Sequence, residues 1–152
     1  MEKIYYRIRQ FVKILIYAIY RLKSIFKLRK VVAETDYKNL FVLFKYFIKK
    51  YPNNTNHSFL LFYAEIQRAK KIKTCDMPRD IVKMESVITF KNIRTDEDLT
   101  IQLVYPDDEQ LKDLKLSVFS AVGMALFAQK TGTIVSCFEE KRKIKLKILS
   151  ID

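Results

Sequence analysis

Only two glycines stand in the 152 residues of this chain, and both fall in one stretch, Leu103–Gly132. Glycine is the residue that tolerates positive φ and lets one backbone pass close to another, so a chain with two of them has few places to put such features. Gly123 falls in the first turn of a short helix predicted over Ala121–Gln129, and Gly132 in the turn ahead of the next strand. Ser120 is placed to cap that helix, its hydroxyl accepting from the free amide of Val122 or Gly123. Around the helix, Leu114–Phe119, Thr133–Phe138 and Lys143–Ile151 carry the alternation of half-buried strands. In the last of these, Lys143, Lys145 and Lys147 alternate with Ile144, Leu146 and Ile148, which sets three ammonium groups on one face, read as a solvated sheet face. A sheet with one short helix behind a helical N-terminal half makes the fold class α+β.

Length and a 49% hydrophobic composition suit one compact domain with appendages. Cys75 and Cys137 are far apart, with no CxxC spacing, which predicts reduced thiols in a cytoplasmic protein and neither a zinc site nor a disulfide framework. No phosphate loop, HExxH, nucleophile elbow or Cys/His pairing is present, so the expectation is a non-enzyme without cofactor, metal or catalytic residues. His57 is the only histidine and reads as a surface residue.

Charge is lopsided. Residues 1–73 carry a net +13 and residues 74–152 a net −1. Residues 1–30 alone hold nine basic side chains, Lys3, Arg7, Arg9, Lys13, Arg21, Lys23, Lys27, Arg29 and Lys30, against one acid, Glu2. Within them Ile4, Ile8, Phe11, Leu15, Ala18, Leu22 and Ile25 recur at spacings of four and three, which predicts a basic amphipathic helix with one narrow apolar stripe. Its longest apolar run, Ile14–Tyr20, is far shorter than the roughly 20 residues of a membrane span, and the flanks do not suit a signal peptide. Three readings stay open for this extension: contact with a membrane surface, non-specific contact with nucleic acid, or packing on the rest of the chain or on a second copy.

Four segments, in order, carry a family resemblance: Ala64–Ala69, Pro78–Phe90, Leu103–Asp108 and Ser120–Leu126, with a weaker start at Thr35–Leu40. Together they make residues 31–152 resemble the Gre-type transcription elongation factors in their C-terminal domain and, closer still, the short regulators of nucleoside diphosphate kinase. The resemblance implies an FKBP-like domain, a curved antiparallel sheet against one short helix, preceded by a helical hairpin. It also implies a partner, RNA polymerase, with the C-terminal domain on the rim of the secondary channel and the hairpin pointing inward. The division expected is 1–30 basic extension, 31–75 short hairpin and 76–152 FKBP-like domain. An FKBP-like fold by itself does not transfer prolyl isomerase activity, and nothing in these motifs suggests that pocket.

Two departures from the family pattern bear on function. Cleavage-stimulating members carry carboxylates at the hairpin tip that help hold a catalytic magnesium, which needs hard oxygen ligands. Here the tip, Tyr51–Ser58, offers Asn53, Asn54, Asn56 and His57 and no acid. The arms, Asp36–Lys50 and Ser58–Lys73, reach only ~23 Å at ~1.5 Å per residue, so transcript cleavage is not expected. At the docking surface the family usually presents Asp-Ser-Pro before the short helix, where this chain has Phe119-Ser120-Ala121. The candidate polymerase-binding residues are therefore Tyr105, Asp107, Asp108, Phe119, Ser120, Ala121 and Val122. Asp107 and Asp108 read either as negative charge for a basic polymerase surface or as residues that solubilise a turn.

The hairpin is more apolar than a two-helix pair can bury: Leu40, Phe41, Leu43, Phe44, Phe47 and Ile48 face Phe59, Leu60, Phe62, Tyr63 and Ile66. The basic N-terminal helix is the expected cover, with the polymerase or a homodimer partner as alternatives. The competing function is a peripheral protein held on nucleic acid or membrane by that helix.

Overall fold

The computed structural model describes residues 29–51, 56–139 and 141–152. The chain enters through β1 (Val31–Ala33) and the two hairpin helices α1 (Glu34–Lys50) and α2 (His57–Gln67). It leaves the hairpin through β2 (Lys70–Ile72) and builds a sheet from β3 (Val87–Asn92), β4 (Asp98–Val104), β5 (Lys115–Ser117), β6 (Ile134–Glu139) and β7 (Arg142–Ile151), with α3 (Ala121–Leu126) between β5 and β6.

The α+β class holds, with three differences in detail. The five-stranded sheet, in order β5-β4-β3-β7-β6, is mixed, because β5 runs parallel to β4. The connection from Tyr105 to Leu114 contains two single-turn 3-10 helices, Pro106–Asp108 and Leu111–Asp113, that carry the chain across before β5 begins. The second arm of the hairpin stops at Gln67 rather than Lys73, since Lys70–Ile72 pairs in parallel with Val31–Ala33 as a separate two-stranded ribbon. At ~1.5 Å per residue the arms measure ~26 and ~17 Å, so the shorter one sets a stubbier hairpin than its sequence suggests. The short helix also ends early, at Leu126, because Ala128 takes a left-handed φ of 58° and its amide donates to Val82 O at 2.9 Å.

The alternation in β7 works as its sequence implies. Ile144, Leu146 and Ile148 are buried while Lys143, Lys145 and Lys147 are exposed. In α1, Asp36, Leu40 and Phe44 form the buried stripe at spacings of four. In α2, the Asn56 carboxamide accepts from the Phe59 amide at 2.8 Å, capping the helix and setting Phe59, Phe62 and Ile66 inward.

Hairpin and sheet share one core: Leu40, Phe44, Phe59, Phe62 and Ile66 cluster with Ile88, Leu103, Leu126, Phe127, Leu146 and Ile148. The surplus apolar surface of the hairpin is covered in large part by the sheet domain itself, through Phe119 and Phe127. The expected helix in 1–28, with Lys3, Arg7, Arg9, Lys13, Arg21, Lys23 and Lys27, lies outside the described residues.

Candidate partner-docking surface

The corner between β5 and α3 is built by two serines. Ser117 is buried; its amide donates to Glu109 Oε1 at 3.1 Å, and its hydroxyl accepts from the Phe119 amide at 3.1 Å. Ser120 caps α3 by accepting from the Gly123 amide at 2.9 Å, one of the two donors expected. Gly123 is required by close approach: a Cβ there would stand 2.2 Å from Ser117 O and 2.9 Å from Val118 Cα. Gly132, at φ 83°, instead supplies a left-handed turn. Among the described residues, five further left-handed positions, Glu85, Asp96, Leu114, Ala128 and Lys141, are held by residues with side chains, each at a cost of order 1 kcal/mol.

This corner presents Ser120, Ala121 and Val122, all part-exposed, at the start of α3. Phe119 does not face outward with them. Its ring turns into the hairpin, 5.1 Å from Phe44, 5.2 Å from Phe47, 5.0 Å from Phe59 and 6.5 Å from Phe62 between centroids. The reason is hydrophobic: where the family pattern has an acid, this chain has a large ring beside an aromatic cluster that needs cover.

Asp107 and Asp108 sit exposed in the single turn that follows Tyr105, with the Asp108 amide donating to Tyr105 O at 3.0 Å. Tyr105 ties that turn to the hairpin. Its hydroxyl accepts from Asn39 Nδ2 at 3.1 Å, and burial, with the nearby Asp36 and Glu85 charges, raises its pKa against the lowering effect of that bond. Three residues away on α1, Asp36 Oδ2 accepts from the Met84 amide at 3.1 Å. Burial raises the Asp36 carboxyl pKa, opposed by the Met84 hydrogen bond, Lys83 and Tyr105.

The tip residues Pro52–Thr55, which include Asn53 and Asn54, lie outside the described residues. Asn56 is the α2 cap, and His57 is the first residue of α2, not part of the turn. At the other end, Arg29 is exposed, whereas Lys30, counted with the basic extension from its sequence, is a half-buried joint. Its side chain is 9% exposed, pairs with Glu65 at 3.1 Å, donates to Phe127 O at 3.1 Å and lies 5.6 Å from the Phe62 ring centroid. Among the described residues no group of three or more His, Cys, Asp or Glu could hold a metal, and no helix is long and apolar enough to cross a membrane.

The sheet, the capped short helix and the corner between them coincide with a family model, "Transcription elongation factor, GreA/GreB, C-term", over residues 77–152. The chain belongs to this family. It is 31% identical over 87 residues to the transcription elongation factor GreA of Syntrophomonas wolfei, a match covering 57% of this chain and 55% of that protein. It is 36% identical over 69 residues to the regulator of nucleoside diphosphate kinase of Escherichia coli, covering 45% and 51%. The chain thus spans about half the length of the curated relatives it matches. Its fold matches a prokaryotic transcription elongation factor GreA/GreB from Nitrosomonas europaea with a TM-score of 0.67 at 21% identity, covering 82% of this chain and 98% of that one.

Sequence reading missed Lys30, Asp36, Asn39, Glu109 and Ser117, which hold the surface in place. Asp36 had a signal, since it stands four residues before Leu40 and eight before Phe44 on the apolar stripe. Lys30, Asn39 and Glu109 depend on partners 8–97 positions away and left no local mark, and the amide of buried Ser117 likewise meets Glu109 eight positions back.

Proposed function

We propose that this chain is a non-enzymatic regulator that binds RNA polymerase through the domain from about Pro78 to Asp152 and does not stimulate transcript cleavage. Family membership supports the partner. The observation that carries the distinction from cleavage factors is the hairpin, whose tip from Tyr51 to Ser58 has no carboxylate and whose second helix has only 11 residues. Without a carboxylate at the tip, the hairpin lacks the anionic oxygen ligands with which a cleavage factor helps to hold a catalytic magnesium. The effect on transcription is then exclusion: the chain occupies the secondary-channel rim and keeps cleavage factors off.

Ser120, Ala121 and Val122 are the surface offered to the polymerase, with Asp107 and Asp108 beside the same sheet edge region as negative charge for a basic partner. Phe119 serves that surface from behind, by fixing the corner on the hairpin.

The test is a pull-down of core RNA polymerase by the full-length protein at moderate and high salt, with a cleavage factor as competitor. Salt-resistant binding displaced by the factor, with no transcript cleavage in stalled complexes, is the expected result. Binding lost at modest salt and indifferent to the competitor refutes the docking reading, and stimulated cleavage refutes the regulatory one.

A further inference from the structure

The face of the sheet that points away from α3 carries a line of uncompensated positive charge. On β7, Lys143, Lys145 and Lys147 all project to that face, since Ile144, Leu146 and Ile148 between them point into the core that also holds Leu126 of α3. Successive lysines stand about 6.6–6.8 Å apart, so the row runs about 13 Å. Directly opposite them on β6 stand Phe138, Ser136 and Ile134, in the pairs Phe138↔Lys143, Ser136↔Lys145 and Ile134↔Lys147. None of these is acidic, and two are large apolar side chains left in water, Phe138 at 63% and Ile134 at 56% exposed. Among the described residues the three lysines make no ion pair.

The other flank is different in sign. On β3, Lys91 faces Lys147, and it is held by Asp96 at 3.0 Å and Asp98 at 3.6 Å. The positive row is therefore bounded by carboxylates on the β3–β4 side and by apolar side chains on the β6 side. A broad anionic plane laid over this face would meet Asp96 and Asp98 as well as the lysines. A narrow, linear polyanion running along β7 would meet only the lysines, with Phe138 beside it.

We propose that this face binds single-stranded nucleic acid, the sugar–phosphate backbone following Lys143, Lys145 and Lys147 and a base stacking on the Phe138 ring. Ammonium groups in a row neutralise successive phosphates, and an exposed aromatic ring next to a basic track accepts a base of any sequence, so the interaction is salt-dependent and sequence-tolerant. The site lies across the sheet from Ser120–Val122, so it does not compete with docking at that corner, and it stands or falls independently of the polymerase reading.

The experiment is fluorescence anisotropy of a labelled oligothymidylate of about 12 nucleotides with the full-length protein over a range of salt. It compares Lys143→Gln/Lys145→Gln/Lys147→Gln with a charge-matched control, Lys38→Gln/Lys49→Gln/Lys70→Gln, whose three lysines are exposed elsewhere. Losing three phosphate contacts should flatten the slope of log K against log salt by about 2 and weaken binding at least about fivefold near 0.1 M salt, with little change in the control. Phe138→Ala should weaken binding about tenfold and leave the slope unchanged. All sites are exposed, and unchanged melting temperatures will show that the variants fold. Absence of binding by the native protein, or equal losses in the triple variant and its control, overturns the proposal. So does binding to vesicles of about one part phosphatidylserine to two of phosphatidylcholine through the same lysines, without oligonucleotide binding.

Discussion

Removing the Phe119 ring should uncouple the hairpin from the sheet domain. The ring is partly buried and meets Phe44, Phe47 and Phe59 at centroid distances of 5.0–5.2 Å, with Phe62 at 6.5 Å. Phe→Ala in a core costs about 3–5 kcal/mol, and a ring with residual exposure belongs at the low end, about 3 kcal/mol. The ring pairs account for part of this, at about 0.5–1.5 kcal/mol each beyond burial and not additively. For a chain of this size, about 3 kcal/mol lowers the melting temperature by roughly 6–12 °C. The chain has no Trp and nine Tyr, so urea unfolding is followed by far-ultraviolet circular dichroism and tyrosine emission. Phe119→Leu keeps much of the volume and should lose about 1 kcal/mol. Val42→Ala, at a side chain 65% exposed, should change stability by less than about 0.5 kcal/mol. Amide exchange in α1 and α2 should accelerate in Phe119→Ala ahead of the sheet. A loss below about 1 kcal/mol, or one no larger than that of Val42→Ala, would refute the assignment of Phe119 as the wedge.

Gly123→Ala places a methyl 2.2 Å from a backbone oxygen, which cannot rotate away; a loss of about 3 kcal/mol or more is expected in urea unfolding, and a near-neutral result would mean the corner is loose. Burial holds the Asp36 carboxyl above the ordinary aspartate value of 3.8, so its protonation favours the native state: its contribution is fully present below about 3.8 and is lost as pH rises through the folded value. Asp36→Asn keeps an acceptor for Met84 and should flatten that fall in stability, measured as urea midpoints across the acidic range; an unchanged pH profile would count against the buried carboxyl. The Cys137 thiol is pushed up to about 11, by burial first and the Glu139 charge second, while Cys75 is exposed. Near pH 8 a thiol reagent should therefore label Cys75 rapidly and Cys137 only on unfolding; two fast thiols in the native protein would contradict the burial.

Periodicity is a local property, and what depended on it was legible in the chain alone. The alternation of Lys143–Ile148, the Ser120 cap and the turn at Gly132 follow from residues within a few positions of one another. So did the missing acid at the hairpin tip and the order of motifs that places the chain among the Gre-type factors. Long-range pairing was not legible. The parallel ribbon of Val31–Ala33 with Lys70–Ile72, the parallel run of β5 beside β4, and the early end of α2 are set by which segments meet in space. Lys30 illustrates the reason: its charge reads as one of nine in a basic run, yet Glu65, Phe62 and the Phe127 carbonyl converge on it only after the hairpin folds back. Phe119 does too, since the same side chain reads as surface or core according to whether an aromatic cluster lies opposite. Sequence alone determined which faces are apolar; tertiary structure decided which apolar faces meet, because burial is non-directional and the partner is chosen by topology.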